Sequence, residues 1–192
     1  MKKLLLFFSA FAPLYFLLTV KILIDIIFGD LHFNVLNTIS LILYSIALIS
    51  GIVGAVTAVK HKHTPRTKIK ILKKQSLTEQ YFLGYFSLFV LFALSFEIEK
   101  VSMFVVFVLI IILIGIVYIR NDLYYINPFL NLLGYNFYLV TFSDKNQDEQ
   151  VGKFLFKGML ETGGEYTAKL SHENFSLIED QADKNEHFKK HK

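Results

Sequence analysis

Seven cations crowd the stretch from Lys60 to Lys74: Lys60, Lys62, Arg66, Lys68, Lys70, Lys73 and Lys74, joined by His61 and His63 and by no acid. Side chains of that type at that density do electrostatic chemistry. Near a bilayer surface each such charge contributes about 1 kcal/mol to holding anionic headgroups, and the same charges attract phosphate or an acidic protein surface. Lys68, Lys70 and Lys73 interleave with Ile69, Ile71 and Leu72, so the stretch is expected to form an amphipathic turn.

Bond-making chemistry finds little to work with. The chain has no cysteine, which removes disulfides, thiolate metal sites and cysteine nucleophiles. His187 and His191 stand four apart, as metal ligands on a helix do, but a dedicated site needs further ligands and a supporting shell, and His32 and His172 are isolated. Glu97 and Glu99 pair in a short polar hairpin, where nothing would shift their pKa values for acid–base work. The sequence contains no Gly-rich phosphate loop, nucleophile elbow or zinc-protease helix. A protein without catalytic residues, metal or cofactor is expected.

The elements around the basic stretch are apolar. Of 192 residues 54% are hydrophobic and 16% aromatic, and residues 35–59 carry no charge at all. About 20 apolar residues cross a hydrocarbon core of roughly 30 Å as a helix. Four such spans are predicted, over residues 4–28, 35–59, 77–96 and 101–119, the third opened by a Ser76…Glu79 capping box. Pro13 lies within the first, and Phe82, Phe86 and Phe89 give the third an aromatic stripe that reads as packing. Ten Lys/Arg (Lys2, Lys3, the seven of the basic stretch and Arg120) fall on one side and only Lys21 and Lys100 on the other. Short basic loops stay in the cytoplasm, so both termini are expected there, in a multi-pass protein of the bacterial inner membrane.

Small residues repeat along the second span at Ala47, Gly51, Gly54, Ala55 and Ala58, a face suited to close helix packing within the chain or between copies. Asn37, Ser40, Ser45, Ser50, Thr57, Ser87 and Ser95 read as ordinary helix-contact residues. No acid, base or histidine falls at mid-membrane depth, which leaves a carrier mechanism without its coordinating groups.

After Arg120 the pattern changes. Asn127-Pro128 precedes an aromatic and branched run from Phe137 to Phe142, residues 153–160 and 165–170 flank Gly163-Gly164 as a hairpin would, and residues 175–178 suit a last strand. The fold class expected is an α-helical integral membrane protein: four transmembrane helices over 1–120, a small β-rich cytoplasmic C-terminal module over 121–179 and a disordered tail over 180–192.

The segment NDLYYINPFLNLLGYNFYLVTF from Asn121, with Asn127-Pro128, Gly134-Tyr135 and Tyr138, resembles the KwaA family, the membrane subunits of two-component Kiwa anti-phage systems. The plan of spans, basic inner loop and strand-rich end is similar as well. That resemblance implies a non-enzymatic inner-membrane component that detects envelope perturbation, assembles as a homo-oligomer and works with a cytoplasmic DNA-binding effector (KwaB-like). It supplies no catalytic residues. The residues themselves nominate Lys60, Lys62, Arg66, Lys68, Lys70, Lys73 and Lys74 with Asn127, Pro128, Tyr135 and Tyr138 for docking a partner or lipid, and the small-residue face for packing. The function expected is a sensor and scaffold whose partners are membrane lipids, its own copies and the effector, with no direct nucleic acid. Two alternatives stay open: an immunity or stress protein against a bilayer-active toxin, and an oligomeric channel.

Overall fold

Long apolar runs form the long helices, because a backbone surrounded by hydrocarbon has only its own hydrogen bonds to use. The computed structural model describes residues 2–28, 35–60, 66–78, 84, 87, 91, 101–143, 149–171 and 175–181. Among them α1 (Lys2–Phe28), α2 (Val35–Val59) and α3 (Val101–Arg120) are each long and apolar enough to cross a membrane. The third predicted span, 77–96, lies almost wholly outside the described residues, as do the turn 29–34, the hairpin 97–100 and residues 182–192. Among the described residues three helices are therefore of spanning length and composition, where four spans were expected.

Two compact units divide the described chain. The first comprises residues 1–58 and 81–129. Within it α1 is buried nearly all round, from Leu6 and Phe7 through Ala10, Phe11 and Ala12 to Tyr15, as a central helix must be. It runs unbroken through Pro13. The small residues of α2 lie against α1: a methyl group at Gly51 would come within 2.7 Å of the Phe8 carbonyl oxygen, and one at Gly54 would overlap the Leu5 carbonyl. Away from that contact α2 exposes Ile39, Ile42, Ile46 and Ile49, and α3 exposes Leu109, Ile112, Leu113 and Ile116, the faces such helices turn toward lipid.

The second unit, residues 59–80 and 130–192, is a closed five-stranded barrel. Its first strand comes from the basic stretch. β1 (Arg66–Ser76) is followed, after α3 and a short helix α4 (Pro128–Leu132), by β2 (Tyr135–Ser143), β3 (Glu149–Lys157), β4 (Glu165–Lys169) and β5 (Ser176–Gln181). The order round the barrel is β1-β2-β3-β5-β4, antiparallel except for β3 with β5. This is the connectivity of the OB-fold, a Greek-key barrel that serves unrelated functions, so the topology alone assigns none. Ile69, Ile71, Tyr138, Val140, Phe142, Phe154, Leu160, Tyr166, Ala168 and Ile178 form its core.

Four sequence expectations need correction here. The stretch expected as an amphipathic turn is a strand, because Lys68-Ile69-Lys70-Ile71 alternates with period two and its isoleucines fill the barrel. Ser76 ends that strand, and Glu79, its expected capping partner, lies outside the described residues. β3 and β4 do not pair as a hairpin. Residues 158–164 carry Leu160 into the core, Gly158 and Gly163 adopt positive φ, and Gly163 and Gly164 exchange backbone hydrogen bonds with Ile71 of β1. Finally, β5 continues to Gln181, into the start of the expected tail.

Candidate functional site

A strand with one buried face must turn its other face outward. In the first half of β1, Ile69 and Ile71 point into the barrel while Arg66, Lys68 and Lys70 are exposed. A register shift between Ile71 and Lys73 marks a β-bulge at Leu72, which resets the phase. Lys73 then pairs with half-buried Thr141 on the outer face, whereas Lys74 pairs with buried Val140. The Lys74 ammonium donates to the Leu160 carbonyl.

Acids border this row on one side. Glu165 of β4 is the cross-strand partner of Lys70. Glu179 of β5 accepts from Lys169 at 2.5 Å and from Arg66 at 2.6 Å. The hydrogen-bonded Lys169 ammonium, helped by the Arg66 guanidinium, holds the Glu179 carboxyl below the usual carboxylate range against an opposing effect of desolvation. Arg66 is thereby tied into the barrel seam. Lys68, Lys70 and Lys73 are exposed along the same strand, as is Lys74.

The other nominated residues scatter. Lys60 is exposed just past α2, and Lys62 lies outside the described residues. Tyr135 opens β2 half-buried, with the Lys157 ammonium 5.8 Å from its ring centre. Tyr138 belongs to the barrel core, where its hydroxyl donates to the Gly158 carbonyl at 3.1 Å. It offers no docking surface. Asn127 and Pro128 are buried too: Asn127 Nδ2 donates to Ser9 Oγ of α1 at 3.1 Å, and Pro128 begins α4, where a missing N–H costs nothing. Pro128 also lines an apolar cavity of about 240 Å³ with Ala10, Phe11, Leu113, Ile114, Val117, Tyr118, Leu123 and Ile126. The outer face of the barrel at Phe137, Leu155 and Leu177 is likewise covered, with the Phe175 ring set edge-on to Phe137 at 5.2 Å.

Three ion pairs, two of them on Glu179, escape sequence reasoning. The Glu179 bridge joins β1, β4 and β5, which only the barrel brings together. In the other unit Lys3 of α1 pairs at 2.6 Å with Asp122, which takes a left-handed conformation (φ 51°) just beyond α3. A lysine and an aspartate so far apart in sequence give no local signal.

The profile of one family, described as anti-phage protein KwaA, matches residues 2–176. The chain belongs to the KwaA anti-phage family. No curated protein and no solved structure matches it significantly. In this KwaA-family chain the match takes in α1, α2, α3 and barrel strands β1 to β4. The antiviral role that comes with the family thus applies to a chain with three helices long and apolar enough to cross a membrane and a small β-barrel.

Proposed function

We propose that this protein is a non-enzymatic sensor and scaffold of the bacterial inner membrane, with both termini cytoplasmic, that responds to envelope perturbation during phage attack. Its homo-oligomer docks a soluble DNA-binding effector on the barrel. The observation that carries this reading is the row of Lys68, Lys70 and Lys73 on the outer face of β1. A rigid strand presents cations at fixed spacing, which costs less ordering on binding than a flexible loop would.

The test is a triple charge reversal, Lys68→Glu, Lys70→Glu and Lys73→Glu, in the full chain. Arg66 and Lys74 stay, because they bond within the barrel. The outward direction of the three side chains leaves the core intact, so membrane insertion and barrel protection from protease should persist. Effector co-purification should fall at least about tenfold and the wild-type complex should weaken steeply with salt. Undiminished co-purification by the triple variant would refute the docking role.

A further inference from the structure

The contact between α1 and α2 has two unlike halves. Toward the Val59 end of α2, Gly51 and Gly54 touch the backbone of α1 at Phe8 and Leu5. Beyond Ala47, the same face of α2 presents Tyr44, Ser40 and Asn37, all buried. Ser40 is 0%, Tyr44 1% and Tyr15 of α1 3% exposed. The antiparallel register that sets Leu5 against Gly54 and Phe8 against Gly51, continued along both helices, sets Tyr15 against Tyr44.

Other hydroxyls on these helices bond back to their own backbone. Thr19 donates to the Tyr15 carbonyl at 2.8 Å, Ser50 to Ile46 at 2.8 Å and Thr57 to Gly54 at 2.9 Å. Tyr15, Ser40 and Tyr44 do not: among the described residues their hydroxyls have no hydrogen-bond partner. A tyrosine ring holds its hydroxyl too far from its own helix backbone to bond there. In hydrocarbon no bulk water compensates, and a polar group left unmade is costly.

A ligand for three neutral hydroxyls must both donate and accept and must fit where no surface is exposed. Water does both and bonds two to four such groups at once. A cation is disfavoured, because none of the three carries a charge. We propose that Ser40, Tyr44 and Tyr15 hold ordered water inside the helix bundle, so that the α1–α2 interface is wet beyond Ala47 and dry around Gly51 and Gly54. Access is from the Val35 end, since Ser40 stands roughly 8 Å of helix rise from it and Asn37 lies between. Helices joined through water separate more readily than helices in direct contact, which makes the Gly51–Gly54 contact a pivot.

The absence of cysteine makes the test direct, because one introduced thiol gives one S–H infrared band. Full-length Ser40→Cys, Ile39→Cys and Ala55→Cys proteins in liposomes would be moved into D2O. Ile39 is exposed and one residue nearer the Val35 end, and Ala55 is buried in the dry half. Ser40→Cys should convert to S–D at least about tenfold faster than either control, since exchange needs contact with water. Adding Tyr15→Phe and Tyr44→Phe should slow it. Exchange at Ser40→Cys no faster than at Ala55→Cys would overturn the proposal. Thermal unfolding separates the two cases by sign: Tyr44→Phe lowers Tm if water holds the hydroxyl and raises it if the hydroxyl is dry and unpaired.

Discussion

Lys73 and Lys74 are neighbours in sequence and opposites in role. The bulge at Leu72 sends the first to the outer face and the second into register with Val140. A docking surface drawn from charge alone would count both. Glu179 is the converse, an acid at the very end of the expected strand-rich module that becomes the centre of a bridge. Its lowered folded pKa means that its stabilisation is complete above the ordinary value of 4.5 and is lost as the pH falls through the lowered folded value. Glu179→Gln should therefore cost about 1 kcal/mol or less at pH 7, and the difference from wild type should vanish in acid. Amide exchange of β4 and β5 against pH would measure it, and an equal effect at pH 7 and in acid would count against the bridge.

At the scale of elements, legibility in the sequence depended on which physical signal dominated. Hydropathy located α1, α2 and α3 within a residue or two, because an apolar helix needs nothing beyond its own length. β1 hid in plain view. Its Lys-Ile alternation carried the period of a strand, but the density of charge and its place between apolar runs suggested a loop. The β3–β4 hairpin was misread because Gly163-Gly164 marks a turn without naming the strand that turn meets, here β1. Of the docking residues, Tyr138, Asn127 and Pro128 went to the interior, since aromatic and turn residues look alike in sequence whether they face out or in. The Tyr15–Tyr44–Ser40 cluster was not legible because tyrosine is counted with the hydrophobic residues and a serine within a span reads as an ordinary helix contact. The Gly54 contact makes a further prediction: Gly54→Ala should destabilise the helical unit by about 1–3 kcal/mol through overpacking, while Val53→Ala, on an exposed position, should change it little. Thermal unfolding in detergent would compare them.

For the molecule as a whole, the two units interleave along the chain: the barrel uses residues 59–80 and 130–192, and the helical unit residues 1–58 and 81–129. Truncation at Asn121 therefore leaves β1 behind without β2 or β4, its partners on both sides. Such a truncated chain should aggregate or be degraded through its unpaired strand, visible as loss of full-length-equivalent yield, and Ile69→Lys with Ile71→Lys in the remnant should restore it by removing the apolar face. Recovery of the truncated chain as a well-behaved membrane protein without those changes would show that β1 is harmless alone.

The interleaving also sets an order of events during synthesis. β1 leaves the ribosome well before β2, and the 58 residues between Ser76 and Tyr135 include α3, a helix long and apolar enough to cross a membrane. The first strand must wait, its isoleucines uncovered, until β2 and β4 have been made. A closed barrel is then a record that α3, which lies in sequence between its first two strands, has been made, and a chain that stops short of β2 cannot hold its row of lysines on a paired strand.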